Sequence, residues 1–249
     1  MGEIYAIGIG PGNSELLTLQ ALNTLSKCTV VIGYKLYLEL LGDLLNGKKI
    51  IAGTMGQEIE RCREALECSL AGEVVGVVSS GDSGVYGMAG LLFELGGKER
   101  YKSIEIVVIP GITAALSAAA LVGAPFMNDF AVLSLSDLMT DKELIRKRLH
   151  AVASCDLPLA LYNPRSTKRH ELLEEAVAVF KAASGNLPVA LVHNAFREQQ
   201  KIEFVTLDDF PFVRVNMNSI VIFGNTQTVV SGNRFYCRRG YREKYENYH

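Results

Sequence analysis

Short unbroken apolar runs alternate along this chain with charged stretches of helical period, which predicts a β-α-β-α order. Glu3 to Ile9 reads as a strand. It enters Gly8-Ile9-Gly10-Pro11-Gly12, and Asn13 or Ser14 then caps a helix running through Leu22. Thr29 to Ile32 is a second strand, residues 57–71 a helix, and Glu73 to Ser79 a buried strand of parallel-sheet type. That strand ends in Ser80-Gly81-Asp82-Ser83-Gly84 before a small-residue helix from Val85 to Leu95. Ile104 to Ile109 is a strand closed by Pro110-Gly111, with a helix from Thr113 to Leu121. Gly, Ala and Pro break the pattern near residues 122–128. Beyond the break come strands at 131–135, 157–162, 188–193, 201–206 and 219–223, and helices at 141–153 and 170–183. The expected organisation is therefore an N-terminal α/β domain over 1–122, with a mostly parallel sheet, and a C-terminal α/β domain over 123–237. A mobile tail is expected over 238–249.

Composition narrows the class. Of 249 residues, 49% are hydrophobic and 21% charged, which excludes a disordered chain. The net charge of -2 leaves no whole-protein basic footprint for nucleic acid. Cys28, Cys62, Cys68, Cys155 and Cys237 are dispersed without C-x-x-C spacing, so they read as reduced thiols and no metal site is expected. No signal peptide and no bilayer-length apolar run stands out, so a cytoplasmic protein without membrane association is expected.

The 23 glycines concentrate where strands end. In open α/β sheets ligands bind outside the carboxyl ends of strands, and glycine lets backbone come close. The dinucleotide fingerprint fails, because Gly8 and Gly10 would require glycine at Asn13; no Walker A motif exists. Gly81-Asp82-Ser83-Gly84 is not a serine nucleophile loop, since no histidine precedes His150 and G-x-S-x-G would need glycine at Val85. Asp82 reads either as a helix N-cap or as a carboxylate for ligand hydroxyls.

In order, Gly8-Ile-Gly-Pro-Gly-Asn, Ser80-Gly-Asp-Ser-Gly-Val-Tyr-Gly, Ile109-Pro-Gly-Ile-Thr-Ala-Ala and Leu161-Tyr-Asn-Pro-Arg-Ser resemble the tetrapyrrole (corrin/porphyrin) methylase family over essentially the whole chain. Tyr162-Asn163-Pro164-Arg165-Ser166, Gly224-Asn225-Thr226 and Arg239-Gly240-Tyr241 look most like its precorrin-3B (or cobalt-precorrin-3) C17-methyltransferase branch. The resemblance implies two α/β domains with a cofactor cleft between them, a homodimer, and S-adenosyl-L-methionine as cofactor. It places Ile9, Gly81, Asp82, Val85, Tyr86, Thr113, Ala114, Tyr162, Ala195 and Thr226 at that cofactor. It places Gly10, Pro11 and Gly12 on the side of an anionic tetrapyrrole substrate. Ser83 departs from close relatives, which often carry proline there. No iron–sulfur cluster is implied. The activity implied is methylation at C17 with ring contraction in cobalamin biosynthesis. The alternatives are methylation at C11 or C20, diphthine synthase chemistry, or a non-catalytic corrinoid-binding module.

Methyl transfer from a sulfonium needs orientation more than a strong nucleophile, which agrees with the lack of a triad or a carboxylate pair. The substrate's acetate and propionate rim calls for local cations. Arg165 and Lys168, with Arg169, follow a strand end and are the candidates; Lys35, Arg197, Arg238 and Arg239 are further cations. For the proton transfers of ring contraction the candidates are Tyr86, Ser134 and Asn163, with Asp137 also polar there. His193 follows a strand, although its commoner reading is a satisfied, partly buried histidine.

Overall fold

The computed structural model describes residues 2–166 and 169–245. The chain separates into two compact units, Met1–Ala114 and Ala115–His249. The dividing point falls at the start of a helix, eight residues before the expected junction at 122/123.

Unit 1 comprises β1 (Glu3–Gly8), α1 (Leu19–Lys27), β2 (Val30–Tyr34), α2 (Lys35–Leu41), β3 (Lys49–Gly53), α3 (Glu58–Leu70), β4 (Val74–Ser79), α4 (Ala89–Gly96) and β5 (Glu105–Ile109). Its sheet has the order β3-β2-β4-β1-β5, and every pairing is parallel. Alternation along β1 explains how both faces are buried. Ile4 and Ala6 pack with Val30, Ile32, Val75 and Val77 under Cys62, Leu66 and Leu92 of α3 and α4. Ile7 packs with Val31 and Val78 under Ala21, Leu25 and Leu38 of α1 and α2. The sheet order places the carboxyl ends of β4, β1 and β5 side by side.

Unit 2 continues with α5 (Ala114–Val122), β6 (Gly123–Ala124), β7 (Ala131–Ser134), α6 (Lys142–Ser154), β8 (Leu159–Tyr162), α7 (Glu171–Ser184), β9 (Pro188–His193), β10 (Lys201–Thr206), β11 (Ser219–Phe223), β12 (Thr228–Ser231), β13 (Arg234–Cys237) and α8 (Tyr241–Lys244). Its main sheet, β10-β9-β11-β8-β7, is mixed. β7 and β8 are parallel, and β8 and β9 are both antiparallel to β11, so β7, β8 and β9 end at one edge. Leu159, Leu161, Val189, Leu191, Val221 and Phe223 bury one face beneath Leu149 of α6 and Leu173, Ala176 and Phe180 of α7. A second sheet, β12-β13-β6, carries Phe235, whose ring stacks on Phe204 of β10 at 5.9 Å. Among the described residues no helix is long and apolar enough to cross a membrane.

Three local expectations change. Asn13 does cap, but it caps a 3-10 turn over Ser14–Leu16; α1 starts later, with Thr18 Oγ1 accepting the Ala21 amide at 3.0 Å. The helix expected from Val85 begins at Ala89, because residues 82–88 form a tight turn. The expected tail contains a short helix at Tyr241–Lys244, while 246–249 lie outside the described residues.

Candidate functional site

The carboxyl ends of β4, β1 and β5 in unit 1 hold their loops against one another by backbone alone. Gly10 and Gly81 exchange two amide–carbonyl hydrogen bonds, at 3.0 and 2.7 Å. A Cβ on Gly8 would lie 2.7 Å from the Gly111 nitrogen, and one on Gly111 would lie 2.2 Å from the Gly81 oxygen. These glycines therefore let three loops touch each other, a more specific requirement than the approach of a ligand.

Asp82 completes the lock. Its Oδ1 accepts from the Gly84 amide at 2.8 Å and its Oδ2 from the Gly111 amide at 3.0 Å. It is thus a bridge between the β4 and β5 loops, and the N-cap role at the following helix is not observed. Ser83, fully buried, donates its hydroxyl to the Ala6 carbonyl at 2.9 Å, and Ser79 Oγ accepts from the Met88 amide at 3.2 Å. Between these anchors Tyr86 sits at φ 52 with 55% of its surface exposed. A left-handed conformation is costly for a bulky residue and persists where the surroundings enforce it. Val85 is half-buried, as are Thr113 and Ala114, which enter α5. Ile9 is 1% exposed and its side chain belongs to the core. Gly10 and Pro11 are buried and Gly12 half-buried.

A second group gathers where β7, β8 and β9 end in unit 2. Ser134 Oγ accepts from Asn163 Nδ2 at 2.9 Å and from the Ser136 amide at 3.2 Å. The Tyr162 hydroxyl accepts from the Ala115 amide in the first turn of α5 at 2.7 Å. Asn163, Asn194 and Phe196 all have positive φ, so asparagine fills at the ends of β8 and β9 the left-handed role that glycine fills in unit 1. Ala195 lies between Asn194 and Phe196, half-buried. His193 is 8% exposed; its Nδ1 meets Ser219 Oγ at 2.8 Å, and its Nε2 lies 3.7 Å from Glu203 Oε1. Burial pushes its pKa below the ordinary 6.5, opposed by Glu203 and assisted by Lys201 and Arg214. Ser219 was not anticipated; its signal was a hydroxyl in an otherwise apolar strand.

Thr226 does not join this group. β11 runs opposite to β8 and β9, so Gly224-Asn225-Thr226 emerges at their amino ends, a five-residue strand or roughly 15 Å away. There Thr226 binds Asp156 through its amide at 3.1 Å and its hydroxyl at 2.5 Å. The expected cation cluster is also committed to its own unit. Arg165 donates to the Phe212 carbonyl. Arg169 donates to Ser136 Oγ at 2.8 Å and lies 3.7 Å from Asp137. Lys168 lies outside the described residues.

Relatives agree along the whole length. The chain is 42% identical over 239 residues to a probable cobalt-factor III C(17)-methyltransferase of Salmonella typhimurium, covering 96% of this chain and 99% of that protein. It is 40% identical to a cobalt-factor III methyltransferase of Priestia megaterium, of which it spans 46%. The crystal structure of the methyltransferase CobJ superposes with TM-score 0.90 at 33% identity, covering 96% of this chain and all of that one. Uroporphyrin-III C-methyltransferase from Thermus thermophilus, complexed with S-adenosyl homocysteine, shares the fold at TM-score 0.68 and 24% identity, with 90% and 97% coverage. The profile of one family matches residues 3–211, and the chain belongs to that family, the tetrapyrrole (corrin/porphyrin) methylases.

Proposed function

We propose that this chain methylates C17 of a precorrin-3B or cobalt-factor III type tetrapyrrole, with ring contraction, in cobalamin biosynthesis. The observation that carries the reading is the end-to-end 42% identity with a probable cobalt-factor III C(17)-methyltransferase. S-adenosylmethionine supplies an electrophilic methyl group on a sulfonium, which departs as a neutral thioether. The chain's task is then to hold two partners in line and to exclude water.

The locked loops of unit 1 suit that task. Each Asp82 oxygen accepts one backbone amide and keeps a further lone pair, suited to donor hydroxyls such as those of a ribose. Gly81, Val85, Tyr86, Thr113 and Ala114 belong to the same cofactor site, as does Ile9 through its main chain. Tyr162 and Ala195 of unit 2 keep the assignment; Thr226, at the far edge of its sheet, does not. Ser134 accepts two hydrogen bonds, so its own hydrogen remains to be donated, and we assign it the proton donor's role with Asn163 orienting it. Tyr86 is the second candidate, on its exposure and enforced conformation. Gly12, the more open end of Gly10-Pro11-Gly12, faces the substrate side in this reading. A homodimer and a cytoplasmic location belong to the same proposal, tested by light scattering and cell fractionation.

The decisive experiment incubates the protein with methyl-labelled S-adenosylmethionine and cobalt-factor III, then locates the label by NMR. Label at C17 of a contracted ring is expected. Label at C11 or C20 would reassign the carbon. No transfer, together with no calorimetric binding of S-adenosylhomocysteine, would overturn the reading.

A further inference from the structure

His193 closes β9 immediately before the turn that carries Ala195, a member of the proposed cofactor site. Asn194 and Phe196, on either side of Ala195, hold left-handed φ values of 47 and 57. For a phenylalanine that conformation is costly and persists only while its surroundings enforce it. The Asn194 amide donates to the Asn218 carbonyl at 3.1 Å, the Arg197 amide to the Asn194 carbonyl at 2.9 Å, and the Phe196 amide to Gln200 Oε1 at 2.8 Å.

The imidazole is connected to the first of these anchors. Ser219, 2% exposed, accepts from the Asn216 amide at 3.0 Å; its Oγ meets His193 Nδ1 at 2.8 Å and lies 3.3 Å from Asn216 Oδ1. Asn216 Oδ1 in turn accepts from the Asn218 amide at 2.8 Å. The 216–219 turn thus links the ring to the carbonyl that holds Asn194. On the other side, His193 Nε2 lies 3.7 Å from Glu203 Oε1. Among the described residues that buried oxygen makes no hydrogen bond, although Lys201 Nζ is 3.1 Å away, and Arg214 pairs with the other oxygen.

This arrangement selects a tautomer. A bare Nε2 lone pair would be repelled by the carboxylate, so the hydrogen sits on Nε2 and Ser219 donates to Nδ1. A second proton must go to Nδ1. Ser219 Oγ then accepts from the ring and turns its own hydrogen to Asn216 Oδ1, which reverses the chain of bonds. The new charge also draws Nε2 toward Glu203, because a charge-assisted bond closes to about 2.7–2.9 Å, well inside the present separation. The ring makes that move only by pulling on Asn194, its neighbour in the chain and its partner through the 216–219 turn. Burial opposes the proton most, Glu203 of β10 favours it, and Lys201 of β10 and Arg214 of the Phe212–Arg214 turn oppose it, so the change falls below pH 6.5.

We infer that His193 is a positioning residue for the Asn194-Ala195-Phe196 turn: neutral, it holds the turn in the form that receives the cofactor, and protonated, it draws the turn out of that form. The inference rests on the methyltransferase reading for the identity of the cofactor, and its test separates the two. S-adenosylhomocysteine affinity is measured by calorimetry from pH 7.5 to 5 in the wild type, H193Q, E203Q and R214Q, with melting curves to check folding. NMR follows the His193 ring and the Asn194 amide over the same range without ligand.

Wild-type affinity should fall at least about threefold toward pH 5, and the Asn194 amide should titrate with the midpoint of the imidazole. H193Q should flatten the affinity profile. E203Q removes the group that favours the proton, so the midpoint should move to lower pH. R214Q removes one that opposes it, so the midpoint should move up. Opposite shifts from two neighbouring variants report the charge on His193, whereas damage to the fold would lower affinity at every pH. A flat wild-type profile, a profile that survives in H193Q, variant midpoints that do not diverge, or an Asn194 amide that ignores the titration each overturns the inference. A wild type that binds no S-adenosylhomocysteine at any pH strikes the methyltransferase reading instead, and the two NMR titrations then decide the inference by themselves.

Discussion

Gly111 has no room for a side chain: a methyl group would stand 2.2 Å from the Gly81 oxygen and 2.7 Å from the Gly8 carbonyl carbon. Both obstacles are main chain at the ends of central strands, so neither can swing aside. Gly111→Ala should cost at least about 2 kcal/mol in urea unfolding and abolish S-adenosylhomocysteine binding. A variant of normal stability and affinity would show that the loops do not act as a lock. His193 gives a test by pH. Its imidazole is buried, and its pKa is pushed below 6.5 in the folded state. Below about pH 6.5 the unfolded chain takes up a proton that the folded chain refuses, so stability is present above that pH and declines as pH falls. The urea midpoint should drop from pH 6.5 to 5, and His193→Gln should flatten that slope. An unchanged slope in the variant would assign the pH dependence to other groups.

At the scale of the element, one hydroxyl fixes how α5 begins. The Ala115 amide is one of the first-turn donors that a helix cannot satisfy internally, and the Tyr162 hydroxyl at the end of β8 accepts it at 2.7 Å in a buried setting. Tyr162→Phe leaves that donor orphaned. It should cost about 1–2 kcal/mol, or roughly 2–8 °C in melting temperature; no change would mean that water replaces the hydroxyl. Most elements were legible because each has a single strong period. β1, β4, β9 and β11 are continuous apolar runs, and α3, α6 and α7 carry apolar stripes between charges. The misses have physical causes. β3 is an edge strand whose Lys49-Ile50-Ile51-Ala52-Gly53 is mostly open to solvent, so burial leaves little pattern in it. The β12–β13 hairpin is short, yet Ser231 pairs with Arg234 across Gly232-Asn233, a two-residue turn signal available in the sequence. The late start of α4 was not legible, because Asp82 spends its carboxylate on a loop 29 residues away. Thr226 was misplaced because strand direction, which decides the edge at which a loop emerges, is not written in apolar periodicity.

For the whole molecule, the net charge of -2 offers a polyanionic substrate no long-range attraction. Recognition must then come from local cations, and most of those near the strand ends of unit 2 are already paired internally. This makes ionic strength a probe of where the substrate touches. The Debye length falls from about 14 Å at 0.05 M salt to about 4 Å at 0.5 M, so exposed guanidinium–carboxylate contacts weaken while buried hydrogen bonds do not. Over that range the tetrapyrrole KM of the wild type should rise severalfold. If S-adenosylhomocysteine sits on the backbone and Asp82 of the locked loop cluster, as proposed, it should bind almost equally at both salts. A wild-type KM indifferent to salt would mean that the carboxylates are met by groups sheltered from solvent, and Arg165 would then be the first to replace.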